Sequence, residues 1–221
     1  MRKKYWFLIL IIFFLTLGLF FLFLKPANHH QNNNLNNNLT PMTNELANKK
    51  ILMVVAFKNF RDEEYFIPNE TFEKNGYQVI TSSDQKGEAV GSAGGTTEVD
   101  LLVQEVNPID YAAVVFCGGP GMVNNLDNKN FQNLALEFQK QDKLVSAICI
   151  APALLAKAGL LVNKKATVWS SSLDKSAIKI LKDNGAIYED KSVVIDGKII
   201  TANGPEAAKE FGEKIMEVLQ K

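Results

Sequence analysis

The sequence predicts an α/β domain that starts near residue 49 and contains a mostly parallel sheet with helices on both faces. From Lys50 onward, short apolar runs alternate with amphipathic stretches of helical periodicity. Two of the apolar runs, residues 51–57 and 111–117, are almost uninterrupted, which is typical of strands buried on both faces. Strands that alternate with helices favour a parallel sheet, because each crossover helix covers one of its faces.

The first half of the domain is expected to contain three strands and one helix. The strands are predicted at residues 51–57, 77–81 and 111–117, and the helix at residues 62–75, where Gly76 closes it. A Gly- and Ser-rich stretch at residues 87–95 indicates a hairpin or a loop.

The second half is expected to continue the alternation. Helices are predicted at residues 128–141, 151–158 and 173–184, and strands at residues 143–149, 166–169, 192–195 and 198–201. Asn184-Gly185 and Asp196-Gly197 are turn signals that frame the last two strands. A final helix from Pro205 places five apolar side chains on one face: Ala208, Phe211, Ile215, Val218 and Leu219.

Composition excludes several classes of protein. A chain that is 47% hydrophobic is not disordered, and two cysteines form neither a disulfide framework nor a Cys-rich zinc site, so no metal or cofactor is expected. Residues 49–221 carry 20 basic and 23 acidic residues. This mildly acidic balance lacks the basic footprint of nucleic-acid binding, and we expect a small-molecule substrate and no nucleic acid.

Residues 1–24 are predicted to form an N-terminal transmembrane helix. Residues 5–24 carry no charge, and an apolar helix of that length reaches about 30 Å, which matches the hydrocarbon core of a bilayer. Three basic residues precede this span and one follows it, which predicts a single-pass membrane protein with a cytoplasmic N-terminus and an extracytoplasmic domain. The alternative is a cleaved signal peptide, although no small-residue cleavage signal follows the span.

Residues 25–48 are predicted to be a flexible linker, because six of the eight residues from 31 to 38 are asparagine and no periodicity is present. His29 and His30 lie in this linker, where an adjacent pair either binds a metal or, more commonly, has no function. They are the only histidines of the chain, so the domain at residues 49–221 contains none.

Cys149 is the candidate nucleophile. The predicted strand at 143–149 breaks at this cysteine into a helix with Pro152 in its first turn, and the small residues Ala147 and Ala151 lie two positions to either side. That spacing is typical of a nucleophile elbow, in which a sharp turn excludes bulk. A helix N-terminus beneath the sulfur favours thiolate. The alternative is that Cys149 is a small buried hydrophobe.

Gly118 and Gly119 follow the other apolar strand. Adjacent glycines after a buried strand let the backbone turn its N–H groups toward a ligand, so this loop is a candidate oxyanion hole, with the Ile150 amide as a third donor. A glycine pair is also common in tight turns that bind nothing. Its position beside the predicted elbow favours the anion-binding interpretation.

The sequence resembles the DJ-1/PfpI group of the class I glutamine-amidotransferase-like superfamily. The resemblance spans residues 50–219 and rests on four motifs: residues 60–64 with Pro68, the Gly118-Gly119 pair, the elbow at 147–149, and residues 199–205. It implies a flavodoxin-like three-layer sandwich, a homodimer, a reactive Cys149 and Glu64 as the carboxyl partner of the sulfur. Further candidates for the pocket are Trp169, Asn203 and Pro205.

This sequence departs from the family pattern in one respect that affects the chemistry. Protease-like members carry a histidine directly after the nucleophile, where this chain has Ile150. Since amide hydrolysis requires a proton for the leaving amine, usually from histidine, peptidase or amidase activity is disfavoured. Glyoxalase- or deglycase-like chemistry on small dicarbonyls or their adducts needs only a thiolate and a carboxyl. The alternative is a redox sensor or binding domain in which Cys149 is oxidised without turnover.

Two further expectations concern the acids and the second cysteine. Glu64 is expected to be protonated near neutral pH and to hydrogen-bond the Cys149 thiolate, whereas Asp62 and Glu63 are expected to be exposed and ordinary. Without the resemblance, the three successive acids are a helix start stabilised by its dipole. Cys117 ends a strand beside that of Cys149 and is a candidate redox partner; the alternative is that it only fills the strand.

Overall fold

The computed structural model describes residues 49–221. Its strands are β1 (Lys50–Val54), β2 (Lys58–Phe60), β3 (Gln78–Ser83), β4 (Gly87–Gly91), β5 (Thr96–Val99), β6 (Leu101–Leu102), β7 (Ala113–Phe116), β8 (Leu144–Ile148), β9 (Lys165–Ala166), β10 (Ile187–Tyr188), β11 (Val193–Asp196) and β12 (Ile199–Ala202). Its α-helices are α1 (Asp62–Lys74), α2 (Pro120–Val123), α3 (Lys129–Lys140), α4 (Pro152–Lys157), α5 (Ser176–Asp183) and α6 (Ala208–Leu219).

The central sheet has seven strands in the order β11-β12-β8-β7-β1-β3-β6. All neighbouring pairs are parallel except β11 and β12, which form an antiparallel hairpin around Gly197. Phe116 lies opposite Ala147, and Ile148 lies opposite Ala202. The residues that follow β7, β8 and β12 therefore meet at one edge of the sheet, where open α/β sheets place their ligand sites.

Two apolar layers cover the sheet. On one face, α1 and α6 bury Phe72 and Phe211 against β1, β7, β8 and β12. On the other face, α3, α4 and α5 bury Phe138, Leu154 and Leu181. The result is a flavodoxin-like α/β fold with a mostly parallel sheet in the middle layer, as the sequence predicts.

A second sheet lies at the edge of the domain, where the sequence predicts only a hairpin or a loop. β4 and β5 form an antiparallel hairpin, and β2 adds to β4 in parallel. β2 was not predicted because its three residues carry no periodic signal and only Phe60 is buried. The strand predicted at residues 166–169 is also shorter, since only Lys165–Ala166 pairs, with β10.

The structure contradicts the prediction of a single-pass membrane protein. Within residues 49–221, no helix combines the length and the apolar character that crossing a bilayer requires. The apolar segment at residues 5–24 on which that localisation depended, and the linker predicted at residues 25–48, lie outside the described residues.

Candidate functional site

Cys149 sits on a strained turn between β8 and α4. Its φ angle is +63°, in the left-handed region that residues other than glycine rarely adopt. Two backbone hydrogen bonds hold it there: the Cys149 N–H donates to the Ala202 carbonyl at 2.9 Å, and the Trp169 N–H donates to the Cys149 carbonyl at 2.9 Å. Ala147 and Ala151 are fully buried on either side. This is the geometry of the nucleophile elbow that the small-residue spacing predicts.

The Gly118-Gly119 loop packs against the elbow so closely that no side chain fits. A Cβ atom on Gly118 would lie 2.6 Å from Cys149 Cβ and 2.7 Å from Glu64 Oε2. Gly119 has a φ angle of +101°, and a Cβ atom there would collide with the Arg61 backbone. The glycines therefore let the loop lie against both the Cys149 elbow and the carboxyl of Glu64.

Glu64 lies in the first turn of α1 with no solvent exposure. Its Oε2 accepts a hydrogen bond from the Gly118 N–H at 3.0 Å, and the Arg61 N–H, at the start of the same helix, donates to the Gly118 carbonyl at 3.2 Å. Its Oε1 is buried and has no hydrogen-bond partner with fixed geometry among the described residues. Gly118 thus anchors one oxygen of the carboxyl, and Oε1 is the oxygen that remains for the sulfur of Cys149.

Pro68 and Cys117 explain how the Glu64 backbone is satisfied. Pro68 has no N–H, so it cannot bond the carbonyl four residues earlier, which is that of Glu64. The Cys117 thiol donates to this carbonyl instead, with Sγ at 3.5 Å. Cys117 is fully buried, and burial raises the pKa of its thiol well above the usual value. Cys117 and Cys149 are both free thiols in this structure, and the predicted redox pairing between them stays a prediction.

Burial raises the pKa values of both partners of the Cys149–Glu64 pair, and the charge of Glu64 adds to the rise at Cys149. Burial raises the pKa of Glu64 to about 7, against the lowering effect of hydrogen bonds from Cys149 and Gly118. The pKa of Cys149 is also raised, first by burial and then by the charge of Glu64. Hydrogen bonds from the Gly119 and Ile150 backbone oppose that rise. Burial outweighs these two hydrogen bonds, so the pKa of the thiol stays above its ordinary value.

These directions mean that the two groups share protons as a unit. The pair releases its first proton near neutral pH and keeps the second far above it, because two negative charges this close repel. The proton that remains on the singly charged pair lies mainly on the sulfur of Cys149, because the thiol has the higher pKa of the two groups. The form with the proton on Glu64 is the nucleophilic one, since it leaves the sulfur as thiolate.

The pair opens into a cavity of about 580 Å³. Trp169 and Pro205, two of the predicted pocket residues, line this cavity, whereas Asn203 is not among the lining residues. The other predicted site residues at the cavity wall are Cys149, Glu64, Gly119 and Ile150. The volume falls within the range of about 300–1,000 Å³ that is typical of small-molecule sites.

Several site residues were not found from the sequence. Arg61, Asp174, Ser176 and Glu206 line the cavity, but each comes from a loop or a helix start whose approach to Cys149 is a tertiary property. Only Arg61 offered a signal, since it lies in the motif that contains Glu64.

Asp62 differs from its expectation, because it is nearly buried and holds a loop. Its two carboxylate oxygens accept hydrogen bonds from the Ala93 and Gly95 N–H groups, each at 2.7 Å. Glu63 is partly exposed, and its carboxylate lies 2.9 Å from Arg61 Nε. The expectation that both acids are ordinary surface charges is therefore wrong for Asp62.

Comparisons with known proteins agree on the family. The model of the DJ-1/PfpI family matches residues 49–218. An uncharacterized protein of Methanocaldococcus jannaschii is 46% identical over 177 residues, which are 80% of this chain and 85% of that protein. The ThiJ/PfpI domain protein from Brachyspira murdochii superposes with a TM-score of 0.74 at 35% identity, covering 78% of this chain and 96% of that one. Oxidized DJ-1 of Toxoplasma gondii gives a TM-score of 0.67 at 27% identity, with 77% and 90% covered. The chain therefore belongs to the DJ-1/PfpI family.

Proposed function

We propose that this protein carries out glyoxalase- or deglycase-like chemistry on small dicarbonyls or their adducts, with Cys149 as nucleophile and Glu64 as proton shuttle. The observation that carries the proposal is the buried Glu64 carboxyl, which forms a hydrogen bond with Cys149 at the nucleophile elbow. A carboxyl with a pKa of about 7 both gives and takes a proton at neutral pH, which general acid–base catalysis requires.

The first step is addition of the thiolate to an aldehyde carbon. The carbon–sulfur bond forms, the carbonyl electron pair moves onto oxygen, and that oxygen takes the proton of Glu64. The product is a hemithioacetal and an ionised Glu64. The amides of Gly119 and Ile150, which already point at the sulfur, are placed to stabilise the charge that develops beside it.

The second step moves a proton between neighbouring carbons of the bound dicarbonyl. Ionised Glu64 removes the proton from the carbon bonded to sulfur and returns it to the adjacent carbonyl carbon, while a hydroxyl proton passes between the two oxygens. The first carbon is oxidised to a thioester and the second is reduced to an alcohol, so no external oxidant is needed. Water then hydrolyses the thioester, which releases a 2-hydroxy acid and restores the thiol.

The absence of histidine from residues 49–221 favours this chemistry over amide hydrolysis. A peptidase must protonate a leaving amine and then activate water, and the acid–base group paired with the nucleophile is the single carboxyl of Glu64. The thiolate addition expels no amine, so one carboxyl is sufficient. Peptidase or amidase activity is the disfavoured alternative.

A redox sensor is the second candidate function. Cys149 is partly accessible, and the Glu64 carboxyl that hydrogen-bonds its thiol is placed to bond an oxygen added to the sulfur. In that case the thiolate attacks a peroxide, takes one oxygen to become sulfenic acid, and releases water. The oxidized form of the Toxoplasma gondii relative supports this alternative.

One experiment separates the two functions. The full chain is given methylglyoxal, and formation of the hydroxy acid is followed in the parent and in Cys149→Ser. The proposal expects turnover that the substitution abolishes and that Cys117→Ser retains. Absence of turnover in the parent, together with uptake of one or two oxygens at Cys149 under peroxide, would contradict the enzyme and favour the sensor.

A further inference from the structure

We infer that the cavity beside Cys149 selects 2-oxoaldehydes that carry an alkyl tail, with Leu126, Ile150 and Ile180 as the side chains that bind the tail. The inference rests on the proposed function, because it names the substrate class of that site. It starts from size: methylglyoxal has only five non-hydrogen atoms, whereas a cavity of about 580 Å³ belongs with the sites of larger ligands. The space beyond the reacting carbons is left for another part of the substrate.

The apolar part of the cavity wall is an extension of the core. Leu126, Ile150 and Ile180 all line the cavity. Leu126 is only 6% exposed and belongs to the apolar core on the face of the sheet that α3, α4 and α5 cover, and Ile150 and Ile180 pack against that core. Core packing therefore holds these three side chains in place before any ligand binds.

This part of the wall favours an alkyl tail over a polar one. The three side chains have no hydrogen-bonding atoms, so a hydroxyl or amide placed against them would lose its bonds to water without replacement. An alkyl group placed there gains free energy by leaving water. Asp174 and Glu206 also line the cavity, but both residues are exposed, so they keep their contacts with water beside a bound tail.

Two further features of the lining favour the same ligand. Ile150 directly follows Cys149, so the apolar wall begins one residue from the nucleophile, where protease-like members of the family carry histidine. Val123 of α2 also lines the cavity and is 53% exposed. A bound alkyl tail would cover this apolar surface, and exposed apolar surface at a cavity is typical of ligand sites.

The test is a series of 2-oxoaldehydes from methylglyoxal to 2-oxooctanal, whose reacting carbonyls are the same and whose alkyl tail grows by five methylenes. The quantity measured is kcat/KM of the full chain. Each methylene that leaves water should raise kcat/KM about two- to fourfold, so 2-oxooctanal should exceed methylglyoxal at least about thirtyfold. A value that stays level or falls along the series would overturn the inference.

A pair of variants on one helix assigns the effect to the wall. Ile180→Thr places a hydroxyl on the wall, and it should lower the ratio of kcat/KM for 2-oxooctanal to that for methylglyoxal at least about threefold. Ile178→Thr is the matched control, because Ile178 lies on the same helix, is also partly buried against the same core, and does not line the cavity. It should leave the ratio unchanged, and an equal fall in both variants would contradict the assignment.

A second readout does not depend on turnover. Alkylation of Cys149 by iodoacetamide is followed by the mass of the peptide that contains it, in the presence of 2-butanone or 2-octanone. We expect 2-octanone to protect Cys149 at a concentration at least about tenfold lower than 2-butanone, and Ile180→Thr to reduce this difference.

The outcomes for the two proposals are distinguishable. Turnover of methylglyoxal with a level series and equal protection would overturn the alkyl selectivity and leave the enzyme in place. Stronger protection by 2-octanone without turnover of any 2-oxoaldehyde would overturn the proposed function and leave a site for an apolar ligand. Equal protection without turnover would overturn both.

Discussion

Replacing Glu64 with glutamine should make the protein more stable above neutral pH. Folding buries this carboxyl completely and raises its pKa from the ordinary value of 4.5 to about 7. The folded state therefore holds a proton that the unfolded state releases between pH 4.5 and 7. Because the unfolded state binds fewer protons in this window, the free energy of unfolding of the parent falls as pH rises through it. Above pH 7 Glu64 is ionised in the folded state as well, so the parent carries the full free-energy cost of burying its carboxylate.

The pKa values set the size of the effect. Each unit of pKa difference corresponds to about 1.4 kcal/mol, so the rise from 4.5 to about 7 costs about 3 kcal/mol at pH 8. Glutamine has the shape of the carboxylic acid, accepts the Gly118 hydrogen bond through its oxygen, and never ionises. Glu64→Gln should therefore match the parent at pH 4.5 and exceed its free energy of unfolding by about 3 kcal/mol at pH 8.

Urea denaturation of the two proteins from pH 4.5 to 8 measures this difference directly. Residues 49–221 contain no histidine, so few other groups of the domain titrate in this window. Glu63→Gln is the matched control, because its carboxylate is partly exposed and paired with Arg61. Parallel stability curves for the parent and Glu64→Gln, or an equal effect of Glu63→Gln, would refute the argument that Glu64 is held protonated by burial.

Three further predictions test the rest of the site. Glu64→Gln should alkylate at Cys149 several-fold faster than the parent at pH 8.5, because the substitution removes the charge of Glu64, which raises the pKa of the Cys149 thiol; identical pH profiles would contradict the pairing. Gly118→Ala should lower the free energy of unfolding by about 1–3 kcal/mol in thermal denaturation and should abolish alkylation of Cys149, because the new Cβ would lie 2.6 Å from Cys149 Cβ. Unchanged stability and alkylation would show that the loop moves to accommodate the methyl group. Asp62→Ala should lower the free energy of unfolding by about 3 kcal/mol in urea denaturation, because two loop N–H groups lose a charged acceptor. Glu88→Ala, on the exposed side of β4, should leave the free energy of unfolding unchanged.

The sequence was sufficient for the main layers of the fold because those elements carry strong local signals. β1 and β7 are uninterrupted apolar runs, and α6 buries Ala208, Phe211 and Ile215 from its predicted face. The three-stranded edge sheet was not predictable in this way. Its strands are short, and β2 is paired with β4 across the intervening helix α1, which is a tertiary contact rather than a local pattern.

The elbow was predictable for a steric reason, whereas the environment of its sulfur was not. A left-handed cysteine between two buried alanines follows from the spacing of small residues. The pKa of that cysteine depends on how deeply it is buried and on how close Glu64 lies. The spacing of small residues predicts neither of these quantities. Sequence reasoning expected the helix N-terminus to favour the thiolate, because the burial that raises the pKa of Cys149 is a tertiary property.

Pro68 shows how a single residue links the fold to the chemistry of the site. Pro68 has no N–H to bond the Glu64 carbonyl, so this carbonyl is left without its helical donor. The thiol of Cys117, the residue directly after β7, donates to it instead, with Sγ at 3.5 Å. The next residue is Gly118, whose N–H donates a hydrogen bond to the Glu64 carboxyl. The backbone and the side chain of Glu64 are thus both held by consecutive residues of one loop. A helix with an ordinary residue at position 68 would satisfy its own carbonyl and would lose one of the two bonds that fix Glu64 relative to the Cys149 elbow.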